Sequence, residues 1–176
     1  MTLEFELNEQ DFLDFQLFTA SQSKRINKRK QNNWMLTTGC FIIISISFYL
    51  QRNIILTVYF GIAAIIYGLF YPKYFVWRHK KHYKTSIKEN YSSRFGERDH
   101  IEIDNQVIFS KNKTGESTLN VSEIERVDET EKHFFVKIKG GLAYIIPKYK
   151  IQNSDEVRAK FEALGFNVDR AICKWK

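Results

Sequence analysis

The 176-residue sequence carries 27 Lys and Arg against 20 Asp and Glu, a formal net charge of +7, at a mean hydropathy of −0.36. The length suits about one domain. A surplus of this size invites a nucleic-acid partner, but residues 83–176 hold 17 bases against 15 acids, so the excess lies in two short blocks beside apolar stretches, not on a folded basic surface. No nucleic-acid partner is expected, and two cysteines in unlike surroundings, Cys40 in an apolar run and Cys173, exclude a disulfide framework or a zinc spacing.

In chain order, Thr2 to Leu7 alternates apolar and acidic residues, the pattern of a strand with one buried face. Asn8 offers an N-cap, and Glu9 and Asp11 suit the positive end of a helix dipole. Phe12, Leu13, Leu17 and Ala20 follow at helical spacing, and a single helix is expected to run from there into the first apolar segment. Residues 1–33 thus read as a strand and a cytosolic helix.

The apolar run Trp34 to Leu50 spans about 26 Å as a helix, short but sufficient for a hydrocarbon core of about 30 Å. The hydroxyls of Thr37, Thr38, Ser45 and Ser47 can bond back to carbonyls one turn earlier, so they do not disqualify the span. A second run starts at Ile54 and continues through Pro72 to residue 76, leaving through Tyr71, Tyr74, Phe75 and Trp77; these aromatics, like Trp34, suit the headgroup level. Neither run has the polar stripe of a soluble core helix. The first begins 33 residues in, with no small-residue cleavage site, so a cleaved signal peptide is not expected. The intervening Gln51-Arg52-Asn53 allows only a tight turn, which puts both outer ends on one side.

The flanking bases Lys24, Arg25, Lys28, Arg29 and Lys30, then Lys73, Arg78, Lys80 and Lys81, outnumber Arg52 in the turn and place both termini in the cytosol. With Trp34 and Trp77 these nine are the expected membrane-interface residues, and the bilayer is the expected partner. Sequons at Asn90, Asn112 and Asn120 would then stay unmodified. Gly61 and Gly68, with Ala63 and Ala64, suit close helix packing within or between chains, so an oligomer is compatible.

Beyond the hairpin (residues 34–77), Tyr83, Ile87, Tyr91 and Phe95 mark one face of a helical stalk over 78–97, with Gly96 as its stop. Strands are expected at 101–103, 107–110, 118–121, 124–130 and 134–139, followed by a two-residue Gly140-Gly141 turn and a strand at 142–146 ended by Pro147. A helix begins at Asn153 or Ser154, carries Val157, Phe161 and Leu164 on one face, and stops at Gly165. The fold class expected is membrane α+β: a two-helix transmembrane hairpin with a small antiparallel, barrel-like domain over 98–176, closed by a C-terminal helix.

This layout, with Ser122 to Thr130, His133-Phe-Phe-Val-Lys-Ile, Ala143-Tyr-Ile-Ile-Pro-Lys148 and the closing helix, resembles the YcxB-like family of bacterial membrane proteins. The resemblance implies a pleckstrin-homology-like C-terminal domain in a bacterial inner (plasma) membrane protein, and it transfers no active site.

Individual candidates carry little chemistry. His79 and His82 stand three apart, but Arg78, Lys80 and Lys81 repel a cation. His100 and His133 read as turn or surface residues. The acidic run Glu123, Glu125, Asp128, Glu129, Glu131 reads as a solvated strand edge. With no P-loop, GxSxG, HExxH or dinucleotide fingerprint, no enzyme, metal or cofactor is expected. The function expected is a membrane-tethered cytosolic interaction module with a protein partner; the alternatives are an immunity or regulatory protein acting against a toxin, and anionic headgroup binding by the folded domain.

Overall fold

The computed structural model describes residues 1–113, 115–173 and 175. The chain begins with strand β1 (Thr2–Glu6) and helix α1 (Glu9–Gln22). Asn8 and Asp11 form a reciprocal capping box: Asn8 Oδ1 accepts from the Asp11 N–H at 3.0 Å, and Asp11 Oδ2 from the Asn8 N–H at 2.8 Å.

The single helix expected from Asn8 into the first apolar run is instead two. Helix α2 (Lys24–Leu50) is separated from α1 by Ser23, whose backbone is extended at φ −70°, ψ 111°. Ser23 bonds its N–H to the Ala20 carbonyl and takes the Ile26 N–H on its hydroxyl at 3.4 Å. A serine competing for backbone groups in this way favours a cap over a helix interior.

Helices α2 and α3 (Ile54–Tyr91) pack as an antiparallel hairpin. Arg52 makes the turn with a left-handed φ of 57°, and Asn53 caps α3 by accepting the Leu56 N–H. Both helices are long and apolar enough to cross a membrane, and almost none of their apolar windows is covered by protein. Counting about 20 residues, or roughly 30 Å, from the turn reaches Gln31 on α2 and Lys73 on α3. The two basic flanks therefore begin at the same distance from the turn.

Pro72 lies inside α3, where it cannot donate to the carbonyl of Gly68. The Trp34 indole Nε1–H supplies the missing donor, at 2.9 Å from the Gly68 oxygen. Ser45 likewise bonds across the hairpin to the Thr57 carbonyl at 2.8 Å, not back along its own helix. Gly61 and Gly68 face α2, with a Cβ at either position meeting Ser45 or Thr38. Trp34→Phe should destabilise the hairpin by about 1–2 kcal/mol in detergent unfolding, and by clearly less in a Pro72→Ala background, where a backbone donor returns.

After α3 come β2 (Arg98–Ile103), β3 (Val107–Asn112), β4 (Gly115–Asn120), β5 (Ile124–Glu129), β6 (His133–Ile138), β7 (Ala143–Pro147), helix α4 (Ser154–Ala163) and β8 (Val168–Arg170). The barrel expected from the strand count is not closed. The strands make two four-stranded sheets, ordered β1-β2-β3-β4 and β7-β6-β5-β8, antiparallel except for the β5–β8 pair. β1 joins the first sheet from before the hairpin, with Leu3 opposite Ile101. β8, which sequence reading missed, extends the second.

Gly140 and Gly141 both adopt positive φ, 95° and 92°, as the two-residue turn requires. Asn153 caps α4 and Gly165 follows it at φ 89°. One core joins both sheets, α1, α4 and the lower part of α3, through residues such as Phe18, Ile87, Ile103, Phe134 and Phe161.

Candidate functional site

Strand β6 reads His133-Phe-Phe-Val, and both of its faces are covered, so a histidine at its head is carried into the interior. His133 is 2% exposed and Asp11 1%. The surface position expected for His133 is therefore corrected: its Nε2 lies 2.7 Å from Asp11 Oδ1. An ionised carboxylate only accepts, so Nε2 carries the proton of this bond. The same oxygen accepts from the Tyr149 hydroxyl at 2.6 Å, and Tyr149 in turn accepts from Asn8 Nδ2 at 3.0 Å.

Three separate parts of the chain thus meet on one carboxylate. Burial acts to raise the Asp11 pKa, but the hydrogen bonds from His133, Tyr149 and the Asn8 N–H outweigh it and hold the group below the usual Asp value. Tyr149 is pushed up to about 12, by burial first and then by the Asp11 carboxylate. Phe135 stacks nearly parallel to the His133 ring with centroids 5.4 Å apart. Thr130 Oγ1 fixes the preceding turn, accepting the His133 N–H at 3.1 Å and donating to the His133 carbonyl at 3.0 Å.

His133 also lines a half-open cavity of about 710 Å³. Leu17, Phe18 and Phe135 are among its apolar walls, the turn Thr130–Lys132 and Lys80 of α3 border it, and Ala171 to Cys173 and Trp175 complete it. Trp175 is 3% exposed and packs edge-on against Phe75, 5.8 Å at 88°, and His79, 5.5 Å at 72°. Its indole therefore ties the cavity to the base of the hairpin. A second, more open groove of about 570 Å³ runs between α2 and α3 past Trp34, Thr38, Gly61 and Gly68.

The acidic run is not a solvated edge throughout. Asp128 and Glu129 are buried, each 4% exposed. Glu129 receives Arg158 Nε of α4 on Oε2 at 2.7 Å and Lys148 Nζ on Oε1 at 2.6 Å. The Arg158 hydrogen bond leads in holding its pKa at about 2 against the opposing effect of burial, with Lys148 adding to it. Asp128 faces Arg126 at 2.9 Å and Lys137 at 3.7 Å.

Lys24, Arg25, Lys28, Arg29 and Lys30 occupy the first two turns of α2, ending four residues before Trp34. Lys73, Trp77, Arg78, Lys80 and Lys81 follow along α3, with Lys81 Nζ 5.7 Å from the centre of the Trp77 ring. Of these, Lys80 alone borders the His133 cavity. His79 turns inward to Phe75 and Trp175, and no group of three metal-ligating side chains occurs among the described residues. His100 lies at the surface between Glu4 and Glu102, each at 3.1 Å; Glu102 and then Glu4 raise its pKa.

Sequence reasoning missed Asp11, His133 and Tyr149 as a unit. The legible signal was the uninterrupted apolar run after His133, which marks a strand buried on both faces. No curated protein and no solved structure matches the chain. Residues 103–164, from the end of β2 through α4, match the model of the YcxB-like protein family, and this stretch contains Glu129, His133 and Tyr149.

Proposed function

We propose that this chain is an integral protein of a bacterial plasma membrane, in which a two-helix hairpin with both ends in the cytosol holds an α+β binding domain against the inner leaflet. The observation that carries the reading is the uncovered apolar surface of α2 and α3, bounded at one depth by the two basic flanks. In water such a surface would drive aggregation; in acyl chains it is the solvated state. The bases on one side and Arg52 alone on the other favour cytosolic ends.

Binding is favoured as the role of the domain because its cavity opens beside the hairpin base, while the Asp11 carboxylate already accepts from three donors that hold α1, β6 and the Lys148–Lys150 turn together. A pleckstrin-homology-like character is supported by the succession of β2 to β4, β5 to β7 and the closing helix α4. A protein or a lipid would be the natural class of partner for such a domain.

Fusions test the topology directly. Alkaline phosphatase joined near Asn53 should be active and a fluorescent protein joined after residue 176 should fluoresce. The reverse pattern, or recovery of the chain as a dissolved monomer without detergent, would refute the reading.

A further inference from the structure

Building on that membrane reading, we propose that the cavity beside His133 takes a single-chain anionic amphiphile from the adjacent leaflet, its head held by Lys80 and Lys132 and its chain lying among Phe18, Phe135 and Trp175. The volume, about 710 Å³, falls within the roughly 300–1,000 Å³ of small-molecule pockets. Its lining has the composition of an amphiphile site: an aromatic and aliphatic interior, with charge at the border.

The charges are unequal in availability. Asp14 and Glu131 stand on the same border as the lysines; Asp14 Oδ1 accepts Gln10 Nε2 at 2.6 Å, a neutral donor that leaves its charge in place, and Glu131 has a partner of its own. Among the described residues no carboxylate pairs with Lys80 or Lys132, although both border the cavity. Two ammonium groups that no carboxylate pairs with among the described residues, beside an apolar chamber, are free to meet an anionic head with a greasy body.

Position supplies the source. With the hydrocarbon boundary near Lys73, Phe75 and His79 lie about 3 and 9 Å beyond it at 1.5 Å per residue. The headgroup layer on each side is about 5–8 Å deep. Trp175, which rests on both residues and lines the cavity, therefore stands at headgroup depth. Lys80 is one residue further along the helix, within reach of the same layer through its flexible stem. A lipid head can meet the lysines while its chain bends into the chamber.

The test uses the full chain in lipid nanodiscs, with Trp34→Phe, Pro72→Ala and Trp77→Phe leaving Trp175 as the reporter. Dibromostearate is the quenching probe; stearyl alcohol brominated at the same carbons and dibromo-phosphatidylcholine are the comparison probes. Saturable quenching by dibromostearate is expected, with the half-saturating concentration raised tenfold or more by Lys80→Ala/Lys132→Ala, and quenching lost when Ala171→Phe fills the chamber. Each variant is accepted only if its unquenched Trp175 emission stays as blue as the parent's, which reports that the domain is folded.

Quenching that rises linearly with probe and ignores both variants would overturn the proposal, leaving partition into the bilayer as the cause. Equal binding of the uncharged alcohol would overturn the anionic head, and saturation by the two-chain lipid alone would overturn the single chain. Any of these results in membrane-inserted protein leaves the topology intact, whereas failure to insert would strike the membrane reading itself.

Discussion

Glu129→Ala should lower the stability of the solubilised protein by about 3–5 kcal/mol at neutral pH, the usual consequence of removing one partner from a buried ionic group. Arg158 of α4 and Lys148 after β7 both converge on this carboxylate, so its loss strands two cations at the seam between α4 and the second sheet. Arg158→Ala should be milder, because Lys148 remains to compensate Glu129.

The pH profile follows from the sign of the shift. The Glu129 pKa falls from 4.5 to about 2 on folding, so its contribution is fully present above pH 4.5 and disappears as pH drops from there toward 2. The depression corresponds to at most about 3 kcal/mol. Denaturant melts of wild type and Glu129→Gln should therefore converge on acidification across that window. A gap that stays constant from pH 7 to pH 3 would show that the pair is not the cause.

Asp11→Ala should cost about 3 kcal/mol or more, since His133 and Tyr149 lose a charged acceptor in the interior and α1 loses its capping box. Asp11→Asn keeps the shape and one acceptor oxygen, and an intermediate loss is expected. Because the folded Asp11 pKa is lowered, its contribution is present above the unfolded value of 3.8 and fades as pH falls through the folded one. If Asp11→Ala melted like wild type at pH 7, the three-way junction would be incidental to the fold.

Much of the local structure was written in short-range chemistry. The Asn8 cap, the Gly140-Gly141 turn, the stop at Gly165 and most strand positions follow from residues adjacent in the chain. What stayed hidden depends on partners far apart. Trp34 reads as a headgroup anchor until Pro72 is seen to vacate the Gly68 carbonyl in the facing helix. Asp11 serves its own cap and also His133, 122 positions away. Glu129 looks solvated in an acidic run because its cations arrive from the Lys148 turn and α4. Ser23 is weakly visible, since one serine seldom interrupts a helix unless its cap geometry forms. β8 has three residues, too few for an alternation to register.

The pairing of β1 with β2 sets a timetable for biosynthesis. Thr2–Glu6 leaves the ribosome before the hairpin, yet its neighbour Arg98–Ile103 emerges only after the entire hairpin. At about 5–20 residues per second, the first strand waits roughly 5–20 seconds. Through that interval Leu3 and Phe5 have no sheet to join, and the nascent strand must be kept from sticking elsewhere while α2 and α3 are made. The hairpin is thus an insertion within a folding unit, and completion of the first sheet waits on synthesis of α2 and α3.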